Sequence, residues 1–275
     1  MKQKINKRAY VPGTGEPLRA LVTGASSGIG LEYARQLAAA GHPLVLVSNQ
    51  RQELERAAEQ LAARYGVEAE AVYMDLAQEG AARELFGLCS GRRWEIGILV
   101  NNAGIFSFSD VARTPEGRVE TMVRLHVETA TMLCRLFGEA MARRGYGFIL
   151  NMSSLAAWMP VPGIALYAAT KAYLQVLSRA MAMEMRPAGV GVTVVCPGGV
   201  ATDLYGLAPR LQRLGVRLGV LMTPERLVRV ALRRMFRGRK QVVSGFVNRA
   251  TVPLMAVVPD GMLVWIKRKL SKYER

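Results

Sequence analysis

Three residues whose types suit acid-base chemistry lie close together between Ser154 and Lys171 of this 275-residue chain. Tyr167 and Lys171 stand four residues apart in a segment whose composition favours helix, so both side chains are expected on one helical face. A tyrosine hydroxyl has a pKa of about 10, and a neighbouring cation favours its ionised form. The spacing therefore predicts that Tyr167 gives or takes a proton while the hydroxyl of Ser154 holds a carbonyl oxygen. The alternative is that the YxxxK spacing is accidental and that Ser154 is only a turn residue. The rest of the sequence distinguishes the two interpretations.

Apolar strands that alternate with amphipathic helices must position these residues. Strands are predicted at 19–23, 44–47, 68–73, 96–100, 148–152 and 190–195, and helices at 51–65, 78–89, 114–144 and from Tyr167 to about Arg186. This alternation predicts an α/β fold with a doubly wound parallel sheet of about seven strands and helices on both faces. We expect a flexible basic arm at 1–17, a single catalytic domain at 18–245 and a basic amphipathic extension at 246–275.

A glycine-rich turn follows the first strand and precedes a helix. It contains Gly24, Gly28 and Gly30, with Ser26, Ser27 and Ile29 between them. Glycines at this place permit a tight turn and a close backbone approach to a phosphate at the helix N-terminus. The position within a strand-turn-helix unit makes a purely structural turn the less favoured interpretation.

The residues after the second strand predict which dinucleotide is bound. In a dinucleotide site, the residues here contact the adenosine ribose. An acidic side chain binds the free 2′-hydroxyl of NAD, whereas a basic side chain accommodates the 2′-phosphate of NADP. The sequence is Ser48, Asn49, Gln50, Arg51, without an acid. NADP(H) is therefore favoured over NAD(H), with Asn49 and Arg51 as candidate contacts. Alternatively, Arg51 is an exposed residue in the first turn of a helix.

Five motifs together resemble the short-chain dehydrogenase/reductase family, in particular a bacterial branch related to ketoacyl reductases and hydroxysteroid dehydrogenases. The motifs are TGxxxGIG at 23–30, NNAG at 101–104, Ser154, YxxxK at 167–171 and PGxVxT at 197–202. The resemblance covers about residues 18–245, and five motifs in the right order are highly specific. It implies a Rossmann-type sheet that binds NAD(P) and an oxidoreductase that acts on CH–OH groups.

The resemblance also implies roles for individual residues. Tyr167 is implied as the general acid of carbonyl reduction, Lys171 as the group that lowers its pKa and holds the nicotinamide ribose, and Ser154 as the group that orients the substrate oxygen. Further cofactor contacts are implied at Asp75, Leu76, Asn102, Ala103, Gly104, Pro197, Gly198, Val200 and Thr202.

One position departs from the family pattern. The family has an asparagine in the helix before the fifth strand, where it supports a water relay to the lysine, and this chain has His126. His126 is a candidate catalytic residue that joins the proton relay; the alternatives are that it changes the helix kink or only packs.

Apolar residues beside the catalytic stretch predict a hydrophobic substrate. Phe106, Trp158, Met159 and Tyr205 are the candidate pocket residues, and the segment 203–220 is apolar and basic together. For each aromatic residue and methionine, a place in the ordinary core is the alternative. The leading expectation is an enzyme that reduces a 3-oxoacyl thioester. The second is a hydroxysteroid-type or broad carbonyl reductase. The alternative from another functional class is a non-catalytic cofactor sensor or scaffold protein.

Positive charge is concentrated at the C-terminus. Residues 205–275 contribute +13 of the formal net charge of +16. This basic region favours phosphorylated or acidic partners, or peripheral contact between the C-terminal tail and an anionic membrane. The alternative is that the tail closes over the pocket or over a subunit interface. Nucleic acid is not expected, because a recognised binding module and interleaved aromatic residues are missing.

The remaining features bound the location and assembly. Cys89, Cys134 and Cys196 have neither disulfide nor metal-ligand spacing, which fits a reducing cytoplasm. No metal site is predicted. A secretory signal is not apparent before Leu18, and no apolar run reaches the length of a membrane span. Family habit implies a dimer or tetramer of identical chains.

Overall fold

Seven parallel strands form one sheet in the residues that this computed structural model describes, which are 9–202, 209–217, 221–244, 258–259, 261–263, 265 and 267. The strands are β1 (Arg19–Thr23), β2 (Leu44–Ser48), β3 (Ala69–Tyr73), β4 (Ile96–Asn101), β5 (Gly147–Met152), β6 (Val190–Cys196) and β7 (Gln241–Val243). Their order is β3-β2-β1-β4-β5-β6-β7. The predicted parallel sheet of about seven strands is confirmed, and the short edge strand β7 is the one that the sequence pattern did not locate.

Helices connect the strands and cover both faces of the sheet. They are α1 (Gly28–Ala39), α2 (Arg51–Tyr65), α3 (Ala81–Gly91), α4 (Glu116–Val123), α5 (Ala130–Arg144), α6 (Ala165–Glu184), α7 (Pro209–Arg217) and α8 (Pro224–Met235). Between α4 and α5 the chain stays helical through a π-helical segment, Arg124–Thr129. The long helical stretch expected at 114–144 is therefore two α-helices joined by a wider turn.

Alternate residues of each buried strand face opposite layers of helices. In β2, Leu44 and Leu46 pack into the cluster that contains residues of α1, α2 and α8, whereas Val45 and Val47 pack into the cluster with residues of α3, α5 and α6. Both faces of the sheet are thus covered, which is why the central strands are continuous apolar runs instead of alternating ones. The Rossmann-type fold expected from the sequence is confirmed.

The chain reverses its direction of travel across the sheet at β1. This strand pairs with β2 on one side and with β4 on the other. In open α/β sheets, a crevice for ligands lies outside the carboxyl ends of the strands at such a reversal. The glycine turn after β1 and the NNAG motif at the end of β4 therefore meet at this edge.

The described part of the predicted N-terminal arm contacts the domain. Tyr10 pairs with Pro17, Ala9 is buried, and the amide of Leu18 donates to the carbonyl of Ala9. Residues 1–8 and most of the extension at 246–275 lie outside the described residues, so the predicted domain boundaries stay predictions. Among the helices of the described residues, none is long and apolar enough to cross a lipid bilayer.

Candidate active site

A cavity of about 490 Å³ lies at the carboxyl ends of the strands, at the reversal point. Most residues predicted as catalytic or cofactor-binding line it: Gly24, Ser26, Ser27, Gly28, Ile29, Asn49, Asp75, Leu76, Asn102, Ala103, Gly104, Ser154, Tyr167, Lys171, Pro197, Val200 and Thr202. The sequence reasoning missed seven other lining residues: Ser48, Gln50, Met74, Ile105, Leu125, Met152 and Ser153. Gly30, Arg51 and Gly198 are predicted cofactor residues outside this lining.

The glycine turn brings two backbone segments into contact. Gly24 and Gly28 have φ angles of +64° and +55°, a region that favours glycine. A Cβ at Gly30 would lie 1.9 Å from the carbonyl oxygen of Gly24. Gly30 thus allows α1 to approach the end of β1, while Gly28 opens the N-terminus of α1 toward the cavity. A helix N-terminus is suited to an anion because its amides and its dipole are positive.

The hydroxyl of Thr23 connects the turn to the NNAG motif. The amides of Asn102 and Ala103 each donate to its Oγ1 at 3.0 Å, and the Asn102 Nδ2 donates to the Thr23 carbonyl at 3.0 Å. Thr23 is the last residue of β1. It lies beside the end of β4 because the strand order places β4 next to β1. These bonds fix the backbone of both lining segments relative to each other.

Polar groups without a carboxylate lie at the end of β2. Ser48 and Ser26 share a hydrogen bond of 2.9 Å, and Asn49 and Gln50 line the cavity beside them. Arg51, the next residue, begins α2 at the edge of this group, and its guanidinium lies 4.1 Å from the centre of the Tyr73 ring.

The exposed side chain of Arg51 also pairs weakly with Glu55 at 3.6 Å. Neither contact buries the guanidinium, so it can be redirected toward the cavity at small cost.

Asp75 carries the one carboxylate among the described lining residues. Its two oxygens accept hydrogen bonds from the amide of Ala77 at 3.0 Å and from Gln78 Nε2 at 2.9 Å. Asp75 therefore shapes the turn after β3 and leaves Leu76 beside it in the cavity wall.

Tyr167 and Lys171 lie one helical turn apart on the buried side of α6, as the spacing predicts. The Lys171 Nζ is 5.6 Å from the centre of the Tyr167 ring and donates to the Met152 carbonyl at 3.0 Å. Burial lowers the pKa of Lys171 to about 8, because the charged ammonium loses hydration. The tyrosine and a partly desolvated amine thus share one wall of the cavity.

Two serines follow β5 and serve different purposes. Ser154 lines the cavity, and its Oγ accepts a hydrogen bond from the amide of Ala156 at 3.2 Å, so its hydrogen is left to donate. Ser153 donates to the carbonyl of Lys171 at 2.7 Å and ties α6 to the end of β5. The contact joins residues 18 apart in sequence, and the pattern around Ser153 held no signal for it.

His126 is buried in the π-helical segment, and both of its ring nitrogens are engaged. The amide of Ile105 donates to Nε2 at 3.0 Å, and Nδ1 lies 3.0 Å from the hydroxyl of Thr170. Because that hydroxyl already donates to the carbonyl of Tyr167, Nδ1 carries the proton and donates to Thr170. Burial, together with the charges of Lys171 and Arg118, holds the pKa of His126 well below its usual range, so the ring is neutral.

The loop after β4 reaches over the tyrosine. The Phe106 ring meets the Tyr167 ring edge to face, with centroids 5.1 Å apart, and Arg118 donates to the Phe106 carbonyl at 2.8 Å. Phe106, Trp158 and Met159, three of the predicted pocket residues, are half-buried and lie outside the cavity lining. Tyr205, the fourth predicted pocket residue, lies outside the described residues.

Thr202 supplies a buried polar atom that is suited to bind a ligand. Its Oγ1 is buried and has no hydrogen-bond partner among the described residues, although Thr202 lines the cavity. Buried hydroxyls are normally bonded, so an unpaired one marks a place for a ligand or a water. The glycine turn, the open helix N-terminus and this hydroxyl together fit a dinucleotide that extends along the cavity.

Comparison with known proteins decides the family. The profile of the short chain dehydrogenase family matches residues 19–209. The chain belongs to this family. It is accordingly an oxidoreductase, and the family uses nicotinamide cofactors.

Similar proteins cover most of this short-chain dehydrogenase. A very-long-chain 3-oxoacyl-CoA reductase from Anas platyrhynchos is 33% identical over 98% of this chain and 84% of its own length. A short-chain dehydrogenase from Sphingobium yanoikuyae, solved in complex with NADPH, has a TM-score of 0.75 and 29% identity over 88% of this chain and 97% of its own. A 7β-hydroxysteroid dehydrogenase structure has a TM-score of 0.81 and 25% identity over 91% and 96% of the two chains.

Proposed function

We propose that this enzyme uses NADPH to reduce a 3-oxoacyl thioester with a hydrophobic chain. The observation that carries the proposal is the placement of Tyr167, Lys171 and Ser154 on the same cavity as the glycine turn and the N-terminus of α1. The similarity to very-long-chain 3-oxoacyl-CoA reductases over nearly the whole chain supports the thioester as substrate. The basic C-terminal region supports it as well, because CoA and phosphopantetheine carry phosphates.

The residues around the cavity are suited to hold the cofactor along its length. The N-terminus of α1, with Gly28 exposed to the cavity, would hold the pyrophosphate. Asp75 and Leu76 would lie beside the adenine, Lys171 would hold the nicotinamide ribose, and the unpaired hydroxyl of Thr202 would bind the carboxamide. The bound cofactor supplies the hydride for carbonyl reduction.

The side chains around the substrate carbonyl would handle its oxygen. Ser154 donates a hydrogen bond to this oxygen and orients it, and Tyr167 donates the proton that converts it to a hydroxyl. Lys171 lies close enough to favour the resulting phenolate electrostatically, provided it is protonated, and a pKa of about 8 makes that state dominant at neutral pH. Phe106 covers the ring of Tyr167 and limits access of water.

We assign His126 to positioning instead of proton transfer. Its Nδ1 proton is held by Thr170 and its Nε2 lone pair by the amide of Ile105, so neither nitrogen is free to relay a proton. The two bonds connect the segment that leads to Phe106 with the helix that carries Tyr167. His126 would therefore fix the distance between the rings of Phe106 and Tyr167.

A preference for NADPH is proposed from the end of β2. The cavity there has hydroxyl and amide groups from Ser26, Ser48 and Asn49, without the acid that selects a free ribose hydroxyl. Arg51 would turn from Tyr73 toward the 2′-phosphate, since its pairing with Glu55 is exposed and weak.

A homo-oligomer is proposed from the outer face of α6. Tyr173, Val176 and Met183 are exposed on this helix, and Val176 is 65% exposed. Apolar side chains in this arrangement are typical of a surface that a second copy covers. Size-exclusion chromatography with light scattering tests it: the wild type should exceed the monomer mass and Val176→Glu should reduce it, whereas a monomeric wild type would contradict the proposal.

The described part of the tail supports its closure over the loop beside the active site. Lys267 donates to both carboxylate oxygens of Asp110 at 2.6 Å, and Leu263 is buried. Asp110 lies in the loop that also carries Phe106. Contact of the tail with an anionic membrane and a cytoplasmic location stay predictions.

A hydroxysteroid-type or broad carbonyl reductase is the second candidate function. The high TM-score with a 7β-hydroxysteroid dehydrogenase favours it. A non-catalytic sensor is disfavoured, because Ser154, Tyr167 and Lys171 all line the cavity.

A substrate panel tests the proposed function. NADPH and NADH oxidation should be followed with 3-oxoacyl-CoA thioesters of increasing chain length, ketosteroids and aromatic aldehydes. The proposal predicts the highest kcat/KM for NADPH with long-chain thioesters. Selective turnover of ketosteroids would replace it with the second candidate, and cofactor binding without any turnover would contradict both.

A further inference from the structure

The solvent side of α7 carries leucines beside arginines. Leu211 and Leu214 are 56% and 51% exposed, and Arg210, Arg213 and Arg217 are exposed as well. The segment 203–220 was expected to build the substrate pocket, but these two leucines face the solvent. Their exposure therefore needs a different explanation.

The helical periodicity sorts these side chains into sectors. At about 100° per residue, Leu211 and Leu214 lie roughly 60° apart, and the three arginines occupy an adjoining sector of about 60°. The half-buried residues Gln212, Gly215 and Val216 lie on the remaining side. The outward face of α7 is thus half apolar and half cationic, without an acidic residue in the helix.

Backbone hydrogen bonds attach α7 to the rim of the active-site cavity. The amide of Leu221 donates to the carbonyl of Gly215 at 3.0 Å, and the amide of Met222 donates to the carbonyl of Gly199 at 2.9 Å. Ala201 in turn donates to the Met222 carbonyl at 3.0 Å. Gly199 and Ala201 flank Val200, which lines the cavity.

We propose that the outward face of α7 docks this enzyme on an anionic lipid bilayer. The leucines enter the boundary between headgroups and acyl chains, and the arginines contact lipid phosphates. A helix with adjoining apolar and cationic sectors is suited to lie in the plane of such an interface. An acidic protein partner would use the arginines, but it would not explain two exposed leucines beside them.

Docking in this orientation would place the cavity rim next to the bilayer. A thioester with a long acyl chain partitions into membranes, so the mouth of the cavity would face the phase that holds it. This consequence rests on the proposed function, whereas the lipid contact itself does not.

Co-sedimentation with vesicles tests the contact. The full chain should be mixed with phosphatidylcholine vesicles that contain or lack phosphatidylglycerol. Binding should require phosphatidylglycerol and weaken with salt, because phosphate contacts are screened. Each arginine near an anionic surface contributes about fivefold to the partition coefficient, so Arg210→Gln with Arg213→Gln should reduce it about 25-fold.

Matched variants separate α7 from net charge. Arg56→Gln with Arg83→Gln removes the same charge from exposed positions of α2 and α3 and should reduce binding far less. Leu211→Ser with Leu214→Ser should reduce binding at least about tenfold at unchanged charge. Turnover of a short, soluble 3-oxoacyl thioester should be the same in the α7 variants as in the wild type.

Three results would overturn the proposal. They are absence of binding to anionic vesicles, equal binding to vesicles of phosphatidylcholine alone, and binding that the α7 variants leave unchanged. An inactive protein that still binds vesicles through α7 would contradict the proposed function and leave the lipid contact intact.

Discussion

Replacement of His126 by asparagine should change how the stability of the protein depends on pH. The folded protein holds the pKa of His126 well below 6.5, whereas the unfolded chain restores the ordinary value. Below pH 6.5 the His126 ring is therefore protonated in the unfolded state and stays neutral in the folded state. The free energy of unfolding falls as the pH falls. His126→Asn removes this contribution.

The size of the effect follows from the linkage between protonation and folding. For a histidine with an unfolded pKa of 6.5 that stays neutral when folded, the free energy of unfolding drops by about 1 kcal/mol between pH 6.5 and 5.5. His42, the other histidine of the chain, is also buried, with its Nδ1 2.8 Å from the Leu18 carbonyl and a pKa that burial lowers. The variant should retain the part of the acid sensitivity that comes from His42.

Urea unfolding followed by circular dichroism, repeated at several pH values, measures this difference. The stability difference between wild type and His126→Asn should change by about 1 kcal/mol over that interval, in the direction that favours the variant at low pH. His42→Asn is the matched control. It should also reduce acid sensitivity and leave turnover unchanged, because His42 precedes the N-terminal end of β2, at the opposite end of the strands from the cavity.

Activity separates positioning from proton transfer. Because no nitrogen of His126 is free, His126→Asn should keep kcat within about tenfold of the wild type. Complete loss of turnover in a variant that still folds and binds NADPH would show that His126 transfers a proton. An unchanged pH dependence of stability would contradict the buried neutral ring.

Two further variants test the cofactor cradle. Gly30→Ala should destabilise the protein by about 3 kcal/mol or more, because the new Cβ would lie 1.9 Å from the carbonyl oxygen of Gly24. Thermal unfolding measures this loss of stability. A variant as stable as the wild type would contradict the close approach of α1 to the end of β1. Arg51→Gln should raise the KM for NADPH about tenfold and leave the KM for NADH unchanged, as a lost phosphate contact predicts. Arg56→Gln on the same helix is its control, and equal effects on both cofactors would contradict the role of Arg51.

Local patterns predicted the elements and the placement of the reacting groups. The bounds of β1 and α2 match the predicted ones, because a short apolar run before a glycine turn and an amphipathic run before a glycine are strong local signals. Tyr167 and Lys171 share a face because the helical period alone brings them together. The edge strand β7 was not located, since three residues after a charged segment give too little pattern.

Contacts between distant parts of the chain could not be predicted in this way. The sequence identified His126 as unusual, but its two partners come from the loop after β4 and from α6. The contact of Arg51 with Tyr73 likewise depends on the pairing of β2 with β3. The same limit applies to Leu211 and Leu214, whose apolar character suggested a pocket although their side chains face the solvent.

Replacement of Tyr167 by phenylalanine tests the central claim most directly. The change removes one oxygen from a buried ring and leaves the contacts with Phe106 and Lys171 possible. The kcat for NADPH-dependent reduction of a 3-oxoacyl-CoA thioester should fall about thousandfold, while NADPH binding, followed by its fluorescence, should be retained. A variant as active as the wild type would contradict the assignment of Tyr167 as the proton donor, and with it the account of this active site.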